Sequence, residues 1–135
     1  MKTIYFIRHG DYSPKTEDIY DSERFKARLM GQNMNPKPQI IYTSPTLRAK
    51  TTAECIAEGA GVKIEIDGRL EEFSTKDMRE NFFKDLFPAL EKNNIDTIAI
   101  ISHQPTLKKM TSSWLRCLES LVIQKETWNE YIHSF

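Results

Sequence analysis

The chain has 135 residues, 39% hydrophobic and 28% charged, with 19 Lys and Arg balanced by 19 Asp and Glu. That length fits one domain over residues 1–135, and the composition excludes a disordered or collagen-like chain. Zero formal net charge gives no global attraction to nucleic acid or to an anionic membrane. An anion site therefore has to come from a local cluster of basic side chains.

Residues 3–7 form an apolar run rich in Ile, Tyr and Phe, too short for a stable helix and read as a buried strand. The run stops at Arg8 and no small-residue cleavage site follows, so a secretory signal is not expected. No other segment approaches the ~20 apolar residues of a membrane span, and the expected location is the cytoplasm. Residues 16 to about 30 read as a helix with Thr16 as N-cap and Ile19, Tyr20, Phe25 and Leu29 as apolar positions. Residues 31–38 are a connection, and 39–42 a second buried strand.

Residues 45–58 read as a helix whose end is marked by Gly59 and Gly61. Val62, Ile64 and Ile66 alternate with Lys63 and Glu65, the period of a strand near a sheet edge. Residues 76–92 place Phe82, Phe83, Leu86, Phe87 and Leu90 at helical spacing, with Pro88 expected to kink or divide the helix. The aromatic side chains among these are read as core. Residues 97–101 are another buried strand, and 105–118 a helix with Leu107, Met110, Trp114, Leu115 and Leu118 facing inward. Residues 121–124 offer a final strand, while the segment from Trp128 onward is too short to assign.

Alternating strands and helices favour an α/β fold, a three-layer α/β/α sandwich with a mostly parallel central sheet. Cys55 and Cys117 fall in stretches that read as helical and lack the spacing of a metal knuckle or redox pair. They are read as buried free thiols.

Ligands of open parallel sheets bind beyond the carboxyl ends of the strands. After the first strand comes Arg8-His9-Gly10, after the second Ser44-Pro45-Thr46-Leu47-Arg48, and after the fourth Ser102-His103-Gln104-Pro105. Two of the three histidines and two arginines are thereby delivered to one sheet edge. Gly10 permits a sharp turn, Ser44 reads as an N-cap with Pro45 as the first helical residue, and Pro105 opens another helix. Two arginines, two histidines and two helix starts make a site for a dianionic phosphoryl group. A neutral imidazole, with reference pKa ~6.5, attacks phosphorus through one nitrogen when a backbone carbonyl holds the other. His9 is the candidate nucleophile. Arg8 and Arg48 would stabilise the equatorial oxygens, with His103 helping to hold the phosphoryl group.

The ordered set Arg8-His9-Gly10, Ser44-Pro45 with Arg48-Ala49 and Thr51-Thr52-Ala53, and Ser102-His103 with Pro105 resembles the histidine phosphatase superfamily. That group is also called phosphoglycerate-mutase-like. The resemblance spans residues 8 to 105 and implies a phosphoglycerate-mutase-like fold. It also implies a phosphorylated histidine at His9, with a phosphate pocket completed by Arg8, Arg48 and His103. It implies no cofactor and no metal. Members often carry a carboxylic acid in a stretch resembling Arg-Leu-X-Glu. Arg69-Leu70-Glu71-Glu72 fits, so Glu72 is the candidate acid and Glu71 the fallback, although the usual continuation is replaced by Phe73-Ser74-Thr75-Lys76.

An alkoxide leaving group gains ~10²–10⁴-fold from protonation, whereas imidazole leaving from phosphohistidine needs little help. The short chain and the altered acid stretch make the sequence most similar to the SixA-like phosphohistidine phosphatase branch. The expected activity is metal-independent hydrolysis of a phosphohistidine protein or a small phosphorylated metabolite. The alternatives are a phosphoglycerate-mutase-type phosphotransferase and a non-catalytic phosphate-binding module. Arg24, Lys26 and Arg28 are read as a solvated helix face, and His133 as a surface histidine. Asp11, Asp18 and Asp21 match no calcium loop.

Overall fold

The computed structural model describes residues 1–133. Five strands, β1 (Lys2–Arg8), β2 (Ile40–Thr43), β3 (Ile64–Ile66), β4 (Thr97–Ser102) and β5 (Ser120–Lys125), form one sheet in the order β3-β2-β4-β1-β5. All pairings are parallel except β5 on β1, which is antiparallel. The four α-helices are α1 (Asp21–Asn33), α2 (Leu47–Ala60), α3 (Lys76–Lys92) and α4 (Gln104–Thr111).

Strand side chains alternate between faces, so each buried strand feeds two cores. Ile4, Phe6, Ile98 and Ile100 point to the side of α3 and α4, where they pack with Phe82, Phe87, Leu107 and Met110. Tyr5, Ile7, Ala99 and Ile101 point to the side of α1 and α2, against Ala27, Ala53 and Ile56. The result is an α/β/α sandwich. The short 3₁₀ segment Trp128–His133 closes the α3 side, with Trp128 and Tyr131 fully buried.

Several local expectations are corrected. Helix α1 begins at Asp21 rather than near Thr16. Residues 11–20 fold back on themselves instead, with Ser13 N–H donating to Asp18 O and Tyr12 bridging Ile19. Tyr20, Phe25 and Leu29 are exposed, because α1 meets α2 through its small positions Ala27 and Gly31. A Cβ on Gly31 would lie 2.1 Å from Ile56 O, and one on Gly59 2.1 Å from Arg28 O. Gly59 is therefore a packing residue inside α2, and Gly61, at φ 73°, is the true C-cap.

Helix α2 starts at Leu47 with Thr46 at the N-cap, two residues later than Ser44 and Pro45 implied. Helix α3 runs unbroken through Pro88. Pro88 and Lys84 both lie on the exposed face, so the carbonyl deprived of its donor faces solvent. Helix α4 stops at Thr111, where Ser112 takes a left-handed cap at φ 63°. Residues 113–119 form a loop, which leaves Trp114 71% exposed while Leu115 and Leu118 still reach the core. Cys117 lies in that loop and is half-buried, whereas Cys55 is buried on α2; both are free thiols. The strand at 62–66 shortens to Ile64–Ile66 and is an edge strand, as its alternation implied. The side chain of His133 lies outside the described residues.

Candidate active site

Strand β4 lies between β2 and β1, and the three motif-bearing turns leave these adjacent strands at their carboxyl ends. The exits are stitched together, with His9 N–H donating to Ser102 O and Ser44 N–H to Ile101 O. Arg8, His9, Arg48 and His103 are thereby gathered at one edge, and the two imidazole centroids stand 5.1 Å apart.

His9 is 4% exposed and its Nδ1 lies 2.8 Å from the carbonyl of Gly10. A carbonyl only accepts, so Nδ1 carries the hydrogen and Nε2 the free lone pair. The turn is held by Gly10 N–H donating to Thr52 Oγ1, whose own hydroxyl donates to Arg48 O. Burial lowers the His9 pKa to about 4, with the positive charges of Arg48 and Arg8 adding to the shift against the opposing Gly10 hydrogen bond. Burial likewise lowers His103 to about 3, helped by His9, Arg48 and Arg8. Both rings are therefore neutral at pH 7.

His103 is 1% exposed, with Nε2 2.9 Å from Ser44 Oγ and a buried Nδ1 that lacks a hydrogen-bond partner. Arg8 donates from Nη1 to Leu115 O, and Gln104 Oε1 clamps the same residue by accepting from Leu115 N–H. Arg48 donates from Nη2 to Glu72 Oε2 at 2.7 Å. Arg8 Nε and Arg48 Nε are buried with no partner. Unpaired buried Nε–H donors on two half-buried cations are costly unless an anion satisfies them.

Glu72 reaches this edge because its segment is tied to the sheet. Ser102 Oγ donates to Leu70 O, and Thr106 Oγ1 lies within hydrogen-bonding distance of Glu71 O and Glu72 O. Glu71 is exposed. Arg24 pairs with Asp18 and Asp21, and Arg28 with Glu58, so neither is placed among the pocket groups.

Three contributors were not legible from the sequence as site residues. Ser44, read as an N-cap, is the partner of His103. Leu115 offers its carbonyl to Arg8 from a loop expected to be helix. Tyr12 lies edge-on to His9 at 5.6 Å and under the Arg48 guanidinium at 4.6 Å. Among the described residues, no group of three or more His, Cys, Asp or Glu is placed to hold a metal ion. A separate groove of about 790 Å³, lined by Phe83, Phe87 and Met110, lies on the α3 face and shares none of these residues.

Residues 4–87 match the histidine phosphatase superfamily (branch 1), a stretch that holds Arg8, His9, Arg48 and Glu72. The chain belongs to this superfamily. His103 lies beyond the matched stretch. Among curated proteins the chain is 33% identical over 84 residues to "Putative phosphoserine phosphatase 2" of Hydrogenobacter thermophilus. That alignment takes in 55% of this chain and 41% of the relative, so the chain spans about two fifths of that protein's length.

Solved structures share the fold. The protein histidine phosphatase SixA complexed with tungstate superimposes with a TM-score of 0.73 at 16% identity, covering 90% of this chain and 87% of that one. The ecdysone phosphate phosphatase of Bombix mori, also with tungstate, gives 0.78 at 14%, covering 93% and 90%. A phosphoserine phosphatase mutant of Entamoeba histolytica in complex with phosphoserine gives 0.68 at 16%, covering 93% and 92%. No helix among the described residues is long and apolar enough to cross a membrane.

Proposed function

We propose that the chain is a phosphatase that works through a covalent phosphohistidine at His9, with a phosphohistidine protein as its favoured substrate. The observation that carries this reading is the tautomer of His9. Gly10 O fixes the hydrogen on Nδ1, and Nε2 is left as a neutral nucleophile beside Arg8, Arg48 and His103. A phosphoryl dianion would take the unpaired Nε–H groups of Arg8 and Arg48. The Ser44 hydroxyl donates to Thr46 Oγ1, so His103 donates from Nε2 to Ser44 Oγ. Its Nδ1 becomes a third donor to the phosphoryl group only when it takes up a proton as the dianion enters.

In the first step Nε2 bonds to phosphorus as the bond to the leaving group breaks. In the second, water attacks phosphorus, the P–N bond breaks and its electron pair returns to Nε2. An ester leaving group needs a proton, for which Glu72 is the candidate donor, and the same carboxylate would take the proton from water. No step passes through a metal.

Two features favour phosphohistidine over an alkyl phosphate. The Glu72 carboxylate already serves as the partner of Arg48, which suits a leaving group that needs little protonation. Leu47, Phe73 and Trp114 are exposed, and each is one residue from a group that is, or holds, a pocket arginine. Exposed apolar side chains around a site suit the surface of a protein substrate.

The test is turnover of p-nitrophenyl phosphate and of a phosphohistidine protein, by wild type and His9→Ala, with and without EDTA. Wild type is expected to be active and indifferent to the chelator, with His9→Ala at least about a thousand-fold slower. Wild-type protein that hydrolyses neither substrate overturns the proposal.

A further inference from the structure

We propose that Tyr12 is a positioning residue for the phosphoryl-transfer site, its ring being the platform that orients Arg48 and walls the nucleophile. This rests on the phosphatase reading above but concerns a residue outside the three motifs. The Arg48 guanidinium carbon lies over the Tyr12 ring, 4.6 Å from its centroid, and the same ring meets His9 edge-on at 5.6 Å and 74°. One side chain therefore touches both the nucleophile and an arginine that would receive the phosphoryl charge.

The ring is placed by its backbone. Asp11 N–H donates to Glu23 Oε1, a carboxylate buried on α1, and Asp11 O accepts from Tyr20 N–H. Tyr12 itself bridges Ile19, which is 4% exposed. The fold-back of residues 11–20, unexpected from the sequence, thus presents the ring to the pocket.

Arg48 has two orienting partners of different kinds. Glu72 holds Nη2 by charge, and that charge opposes an incoming dianion. The Tyr12 face holds the guanidinium through the ring quadrupole and carries no net charge. It can keep hold of Arg48 as the guanidinium hydrogens pass from carboxylate to phosphoryl oxygens. The edge contact limits rotation of the His9 imidazole, so Nε2 stays aligned for in-line attack.

The experiment compares wild type, Tyr12→Phe and Tyr12→Leu in three readouts: steady-state kinetics on p-nitrophenyl phosphate, tungstate binding by calorimetry, and thermal midpoint. Tyr12→Phe keeps the ring face and is expected to stay within about twofold of wild type in kcat and tungstate Kd. Tyr12→Leu is expected to weaken tungstate binding and lower kcat by about 3- to 30-fold, the span of a cation–π contact from exposed to desolvated sites. KM should change less than kcat, and Phe should rescue what Leu loses. Leu equal to wild type in kcat and Kd overturns the proposal, as does Phe as damaging as Leu, which would put the role on the hydroxyl. A loss in Leu matched only by a fall in thermal midpoint, with tungstate Kd unchanged, also overturns it. Wild type that binds tungstate with this dependence on Tyr12 yet turns nothing over removes the phosphatase reading and keeps the platform. Wild type that neither binds nor turns over removes both.

Discussion

Replacing His9 by Asn is expected to flatten the acid side of the stability curve. In the folded chain burial holds the His9 pKa at about 4, against ~6.5 in the unfolded chain. Between these values the unfolded state binds a proton that the folded state refuses, so stability falls as the pH falls. The stabilisation is complete above about pH 6.5 and its loss ends near pH 4, amounting to about 3 kcal/mol, or ~1.4 kcal/mol per pH unit. His103, held at about 3 by burial and then by His9, contributes a similar slope over the same window. Wild type should therefore lose about twice as much stability per pH unit from these rings as His9→Asn does.

The assay is urea unfolding without phosphate at pH 7, 6, 5 and 4.5. The slope against pH is the readout, since Asn shifts the absolute midpoint by its own packing. Exposed carboxylates act in both proteins and cancel in the difference. Parallel pH dependences for wild type and variant would show that His9 is not held neutral by burial, and the account of its nucleophilicity would fall with it. The same depressed pKa places the acid limb of kcat/KM that belongs to the free enzyme near pH 4, below that of an ordinary histidine.

Glu72→Gln should cost ~10²–10⁴-fold on an alkyl phosphate and only a few-fold on a phosphohistidine protein. Equal losses on both, measured as kcat/KM, would refute the leaving-group argument. Gly31→Ala places a Cβ 2.1 Å from Ile56 O, which should destabilise by about 1–3 kcal/mol or more in urea unfolding. Kinetic constants at 25 °C should hold as long as the variant remains folded. An unchanged unfolding midpoint would mean that α1 and α2 do not approach as closely as described.

The alternation of short apolar runs with helical periods was enough to specify a mostly parallel α/β/α sandwich. A run such as 97–101, all apolar apart from its first residue, has few other homes than a sheet covered on both faces. Strand ends carrying Arg8-His9, Arg48 and His103 were equally readable, since chemistry in such sheets gathers at the carboxyl edge. The tertiary structure decided what holds those groups. Thr16 and the Leu, Trp and Cys positions after Thr111 carry helical patterns in a local window. A fold-back pinned by Glu23 and a loop pinned by Gln104 override them, because contacts distant in sequence outweigh weak local propensity.

Gly59 and Gly31 read as punctuation, and only the crossing of α1 on α2 makes them the price of close packing. Ser44 and Tyr12 show the same limit at the site, where a hydroxyl's or a ring's partner is set by three-dimensional approach. The chain by itself therefore determined which groups arrive at the sheet edge. The tautomer of His9, the partners of the arginines and the neutrality of both imidazoles came from packing, because each depends on burial and on neighbours far along the chain.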